Sequence, residues 1–91
     1  MVNKDYLRSR LVSFYKLLCT EEKINYKVLH IINLYDFVLK NKEDLILYTN
    51  IKDVFGPISN SLTEIQHNEN IHENLKYLLN DRINKYNEVY C

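Results

Sequence analysis

A chain of 91 residues, 46% of them hydrophobic and 26% charged, is long enough for one folded core and too short for two domains. Twelve basic residues balance twelve acidic ones, and a zero sum argues against nucleic acid as the primary partner, since phosphate binding calls for a surplus of Lys and Arg. A single Gly and a single Pro exclude a hairpin-rich all-β domain and fit an all-α bundle, which needs few special backbone positions.

The first predicted helix runs from Lys4 to Cys19. Leu7, Leu11, Phe14 and Leu18 recur at helical spacing, Tyr15 and Leu17 flank that stripe, and Arg8, Arg10 and Lys16 face away or lie along its rim. Thr20 to Lys23 is a polar break, after which Asn25 is placed to cap a second helix from Tyr26 to Leu39. Val28, Ile31, Ile32, Tyr35, Val38 and Leu39 form a broad apolar band there, widened by Leu29, Leu34 and Phe37. A helix apolar nearly all round belongs at the centre of a bundle. Lys40-Asn41-Lys42 ends it. Asn41 is expected to cap a short third helix, with Glu43 and Asp44 at the positive end of its dipole and Leu45, Ile46 and Leu47 as its apolar content.

Thr49 or Asn50 is expected to cap a fourth helix with the stripe Ile51, Val54, Ile58, Leu62 and Ile65. Gly56-Pro57 interrupts it, so the expectation is either a kinked helix or two short ones with Pro57 in the first turn of the second, Ser59 to Gln66 completing the element. His67-Asn68-Glu69 reads as a loop and Asn70 with Glu73 as a variant capping box. A fifth helix then extends to Val89, with Ile71, Leu75, Leu78, Arg82, Tyr86 and Val89 on one face.

The two cysteines, Cys19 and Cys91, are too few and too far apart for a disulfide framework. They read as one core thiol and one terminal thiol of a reduced, intracellular protein without a signal-peptide pattern. No apolar run approaches the roughly 18 residues of a membrane span. His30, His67 and His72 lack metal-ligand spacing, and there is no glycine-rich phosphate loop, serine-centred elbow or paired-carboxylate motif, so no catalytic, metal or cofactor site is expected. Cys19 and His30 could in principle serve as nucleophile and base, but a cysteine at the edge of a core stripe is more often a small buried hydrophobe. The eight tyrosines are scattered and suit half-buried bundle edges, where the ring packs and the hydroxyl stays wet. Two segments are more suggestive: Glu21-Glu22-Lys23-Ile24, and Leu62-Thr63-Glu64-Ile65-Gln66. With helices in this order the two can lie at one end of the bundle, where an acid beside an apolar residue could hold a short peptide. Spacing alone reads them as connections.

The segments Ile24-Asn25 through Leu39, Leu45 to Ile58 with Leu47-Tyr48-Thr49-Asn50-Ile51, and Ile71 to Tyr86 with Leu75, Leu78, Leu79 and Lys85-Tyr86 together resemble the N-terminal domain of transcription elongation factor S-II and its relative, the integrase-binding domain of lens-epithelium-derived growth factor. The resemblance spans Leu7 to Tyr90 and rests chiefly on hydrophobic spacing. The sequence departs from that pattern at Gly56-Pro57, in a longer connection from Ser61 to Asn70, and in having few basic residues around the fourth helix. The resemblance implies a compact right-handed bundle of about five helices, a nuclear location, and a role in docking short disordered motifs of transcription elongation or chromatin factors. By position it implicates Glu21, Glu22, Ile24, Leu62 and Ile65 in partner binding, the acids anchoring the peptide backbone or a basic flank and the apolar residues seating an anchor side chain.

Two other readings stand beside it. Leu11-Val12-Ser13-Phe14-Tyr15-Lys16-Leu17-Leu18 is similar to the Leu-Tyr-Arg motif of small mitochondrial assembly factors that bind acyl carrier protein, with Phe-Tyr-Lys in place of the defining triplet. The remaining possibility is a helical subunit of a larger complex, pairing through an exposed apolar patch.

Overall fold

A computed structural model describes residues 4–48 and 59–90, and among these every regular element is an α-helix. The helices are α1 (Lys4–Thr20), α2 (Ile24–Lys40), α3 (Lys42–Tyr48), α4 (Ser59–Gln66) and α5 (Glu73–Tyr90). The expected caps at Thr49 or Asn50, the stripe residues Ile51, Val54 and Ile58, the break at Gly56-Pro57, and Cys91 lie outside the described residues.

The second helix is the axis of the bundle, packed against α1, α3 and α5. Val28, Ile31, Ile32, Leu34, Tyr35 and Val38 are all buried on it. At 100° per residue these six cover somewhat less than half of the helix circumference, which is why one helix can serve neighbours on two sides. Around them gather Leu7, Phe14 and Leu18 from α1, Leu45 from α3, Ile65 from α4, and Ile71 and Leu79 at and within α5. Of the predicted stripe, Ile71 is buried and Leu75, Leu78 and Tyr86 pack half-buried against the core; Leu79, outside that stripe, is buried as well, and Val89 ends on the surface.

The chain direction follows from four cross-links. Glu21 at the end of α1 meets His30 one and a half turns into α2, as an antiparallel pair joined by a short turn must. Asn25 at the start of α2 accepts the backbone N–H of His72 at the start of α5 (3.1 Å), while Asp36 and Tyr35 near the far end of α2 meet Arg82 and Tyr86 of α5. Helices α2 and α5 are therefore parallel.

Four local expectations are corrected, three by the hydrogen bonds and one by exposure. Asn25 does not cap α2: the helix begins two residues earlier, with extended Lys23 at the cap position and no side-chain cap, and the Lys23 N–H is taken by the Glu21 carboxylate (3.2 Å). Asn25 is spent across the bundle on His72 instead. Asn41 does not cap α3 with its side chain; its backbone N–H and its Nδ2 both close on the Phe37 carbonyl, ending α2, while its own carbonyl receives the Leu45 N–H. The capping box at Asn70 and Glu73 does not form. His72 is the cap residue of α5, its Nδ1 accepting the Asn74 N–H (3.2 Å), and Asn70 is held in the preceding turn by Asn68 (2.8 Å). Cys19 is exposed and not a core thiol, because it lies one residue, hence 100°, past Leu18 on the helix.

The His72 cap makes a direct prediction. His72→Ala removes a partner of an otherwise orphaned N–H and is expected to lower stability by about 1 kcal/mol, with His72→Asn restoring most of it, both read from urea midpoints.

Candidate functional site

The structure treats the two suggestive segments unequally. The Asn25–His72 hydrogen bond brings the turn before α2 and the turn before α5 to the same end of the bundle, as the order of the helices suggested. Most of their side chains are already engaged. Ile65 is in the core at 2% exposure, and Ile24 and Leu62 are half-buried against that core. Glu21 binds the Lys23 N–H with one oxygen and stands 3.4 Å from His30 Nε2 with the other. Glu22 is exposed. Ile65 therefore cannot seat a ligand side chain without opening the core.

A more open surface lies toward the opposite end of the α1–α2 pair. Tyr6, Arg10 and Phe14 stand in the i, i+4, i+8 row of α1 that faces α2. Across from them Asn33, Phe37 and Asn41 form one row of α2, with Asp36 and Lys40 in the adjacent row. Together these eight residues line an open cleft of about 370 Å³. Three of the eight are aromatic and five are charged or amide. Phe14 and Phe37 have ring centroids 5.6 Å apart, and Tyr6 meets Phe37 edge-on at 6.5 Å. The Arg10 guanidinium lies over both phenylalanines, 5.0 Å from Phe14 and 5.8 Å from Phe37, held by the negative ring faces. Tyr6 is 53% exposed and stands at the rim.

The charges around the cleft are not symmetrical. Asp36, its one carboxylate, is bound by Arg82 of α5, whose Nε donates to it at 2.5 Å. The Arg82 guanidinium also donates to Asp81, which takes Lys85 as well (3.2 Å). The Lys85 hydrogen bond, reinforced by Arg82, holds the Asp81 carboxyl below its ordinary range, and Asp36 in turn pushes Arg82 further up. Asp36 is thus neutralised from the α5 side. Among the described residues, neither Arg10 nor Lys40 makes an ion pair.

This cleft is not evident from the sequence. Periodicity sets Arg10 away from or along the rim of the α1 stripe and Phe37 in the widened band of α2, and does not set the two against each other. The usable signal was the Tyr6/Arg10/Phe14 row and the Asn33/Phe37/Asn41 row, two four-residue spacings on helices joined by a tight turn.

Among the described residues no group of three or more His, Cys, Asp or Glu side chains could hold a metal ion, and no helix is long and apolar enough to cross a membrane. No protein-family model matches the chain, and no curated protein or solved structure matches it either.

Proposed function

We propose that this chain is a protein–protein interaction module that docks a short segment of another protein, and that the α1–α2 cleft receives it. The observation that carries the reading is the cleft's make-up: Phe14 and Phe37 beneath the Arg10 guanidinium, a half-exposed tyrosine at the rim, and charged and amide groups around it. Three aromatic side chains beside five charged or amide ones suit a short peptide segment that packs one side chain against a ring while its backbone meets the polar groups. Such a segment is disordered when free and loses entropy on docking, so micromolar affinity is the expected range.

The resemblance to the elongation-factor S-II domain supports the same class of function, a motif-docking module of transcription elongation or chromatin factors acting in the nucleus. It puts the site at Glu21, Glu22, Ile24, Leu62 and Ile65. We favour the cleft over that position because Ile65 is sealed in the core and Glu21 is already engaged, whereas Tyr6 and Arg10 remain at the surface.

Selection of a random peptide library on the folded chain tests the reading. Peptides are expected to be recovered whose binding weakens roughly tenfold in the Tyr6→Ala variant, an anchor contact worth somewhat over 1 kcal/mol. Peptides that bind Tyr6→Ala unchanged but lose binding in Glu22→Ala move the site to the far end of the bundle. Recovery of no binding peptide contradicts the reading altogether.

A further inference from the structure

We infer that the α1–α2 cleft reads the main chain of its partner: it holds about four residues of extended backbone by their peptide groups and asks little of their side chains. This rests on the reading of the cleft as a docking site and adds how the partner is recognised. A buried apolar anchor has nowhere to sink. Phe14 is 6% exposed, and the Arg10 guanidinium lies over Phe14 and Phe37. What remains open is polar and of both signs. Arg10 and Lys40 make no ion pair among the described residues, and the exposed Asn33 side chain has no partner among them. Asp36 is 49% exposed and gives Oδ1 to Arg82, which leaves Oδ2 as an acceptor. Asn41 donates through Nδ2 to the Phe37 carbonyl, which leaves its Oδ1 as another.

The peptide group matches this set. It carries one N–H donor, one C=O acceptor and no net charge. The Asn33 amide has a donor and an acceptor of its own, so it can close on the N–H and C=O of one extended residue, as a neighbouring strand would. Arg10 and Lys40 suit further carbonyls, and Asp36 Oδ2 and Asn41 Oδ1 suit further N–H groups. A strongly acidic segment would meet the Asp36 carboxylate at the rim and a strongly basic one would meet Arg10 and Lys40, so charge of either sign is disfavoured. A helical segment has already used its own N–H and C=O groups, so the segment must be extended. The reach follows from α2. Asn33 and Asn41 stand two turns apart on one row, about 12 Å of helix rise, which an extended chain covers with about four residues. Arg10 faces the middle of that row and is already held against the two rings, so it loses little freedom when a carbonyl arrives. Among the partner's side chains, one can lie on the exposed ring of Tyr6.

The test takes library peptides selected on the folded chain, methylates each backbone nitrogen in turn, and measures binding to wild type and to Asn33→Ala. Asn33 is exposed, so the substitution leaves the packing untouched. Asn33→Ala is expected to weaken every selected peptide roughly fivefold, whatever its sequence, and methylation to cost roughly as much at more than one nitrogen within a single short stretch. At one of those nitrogens the methylation loss should disappear in Asn33→Ala, because the partner of that N–H is already gone. A methyl group that acts only by bending the peptide would cost the same in both proteins. Alanine substitutions along the peptide should matter little except at the residue packed on Tyr6. Peptides that require Tyr6 but bind Asn33→Ala unchanged and tolerate methylation throughout overturn main-chain recognition while leaving the cleft as the docking site. Peptides indifferent to both Tyr6 and Asn33 overturn both, as does the recovery of none.

Discussion

Ile31→Ala is expected to lower the unfolding free energy by about 2–5 kcal/mol, the range for deleting most of a large aliphatic side chain from a packed core. Ile31 is 0% exposed at the middle of α2, where the helix is covered from several sides. Its removal leaves a cavity that the neighbours cannot fill without moving α1 or α5. Domains of this size have a total stability of about 5–15 kcal/mol, so the variant should be near the edge of folding. Leu29→Ala is the internal control. Leu29 is equally aliphatic and two residues away, but 37% exposed on the outer side of the same helix, and its truncation should cost under about 1 kcal/mol. Urea midpoints at equal slopes measure both. Equal losses at the two positions would mean that α2 is not oriented as described.

The second large effect is alkaline. Burial pushes the hydroxyl of Tyr35 up to about 12, and the edge-on neighbour Tyr86 adds to this because its own ionisation would place a like charge beside it. Burial raises Tyr15 to about 12 as well. The sign of the consequence is fixed by which state holds the proton. Between the ordinary phenol value of 10 and the folded value of about 12, the unfolded chain releases protons that the folded chain retains. The stability linked to these two groups is therefore fully present below about pH 10 and is lost as the pH rises through about 12. Followed by tyrosinate absorbance and far-ultraviolet dichroism together, Tyr15 and Tyr35 should ionise late, as the helices melt. Tyr35→Phe removes one of these groups and should move the alkaline midpoint upward. If all the tyrosines ionised together with the helical signal intact, the buried setting of Tyr35 and Tyr15 would be refuted.

Most of the architecture was legible in the sequence because hydrophobic periodicity reports burial directly. The density of apolar residues from Val28 to Leu39 identified the central helix, and Leu7, Phe14 and Leu18 identified the face of α1 that meets it. The capping residues were not legible, for a physical reason. An asparagine near a helix start can bond its own backbone or a group distant in sequence, and only the tertiary arrangement decides. Asn25 went to His72 across the bundle and Asn41 turned back to Phe37. A histidine at a cap position carries no strong signal either, yet His72 accepts the Asn74 N–H. The cleft was hidden for a related reason. Its rows belong to two helices, and the pairing of Arg10 with Phe14 and Phe37 depends on how the tight turn at residues 21–23 aligns them. Periodicity within each helix shows that a face exists, not which face it meets.

The central claim is that the α1–α2 cleft docks a segment of another protein. The most direct measurement is an amide-resolved titration of the labelled chain with a selected peptide. Shifts are expected only at Tyr6, Arg10, Asn33, Asp36, Phe37, Lys40 and their immediate neighbours, with the amides of Glu22 to Ile24 and Leu62 to Ile65 unmoved. Saturable shifts at those latter residues, with the cleft silent, would contradict it.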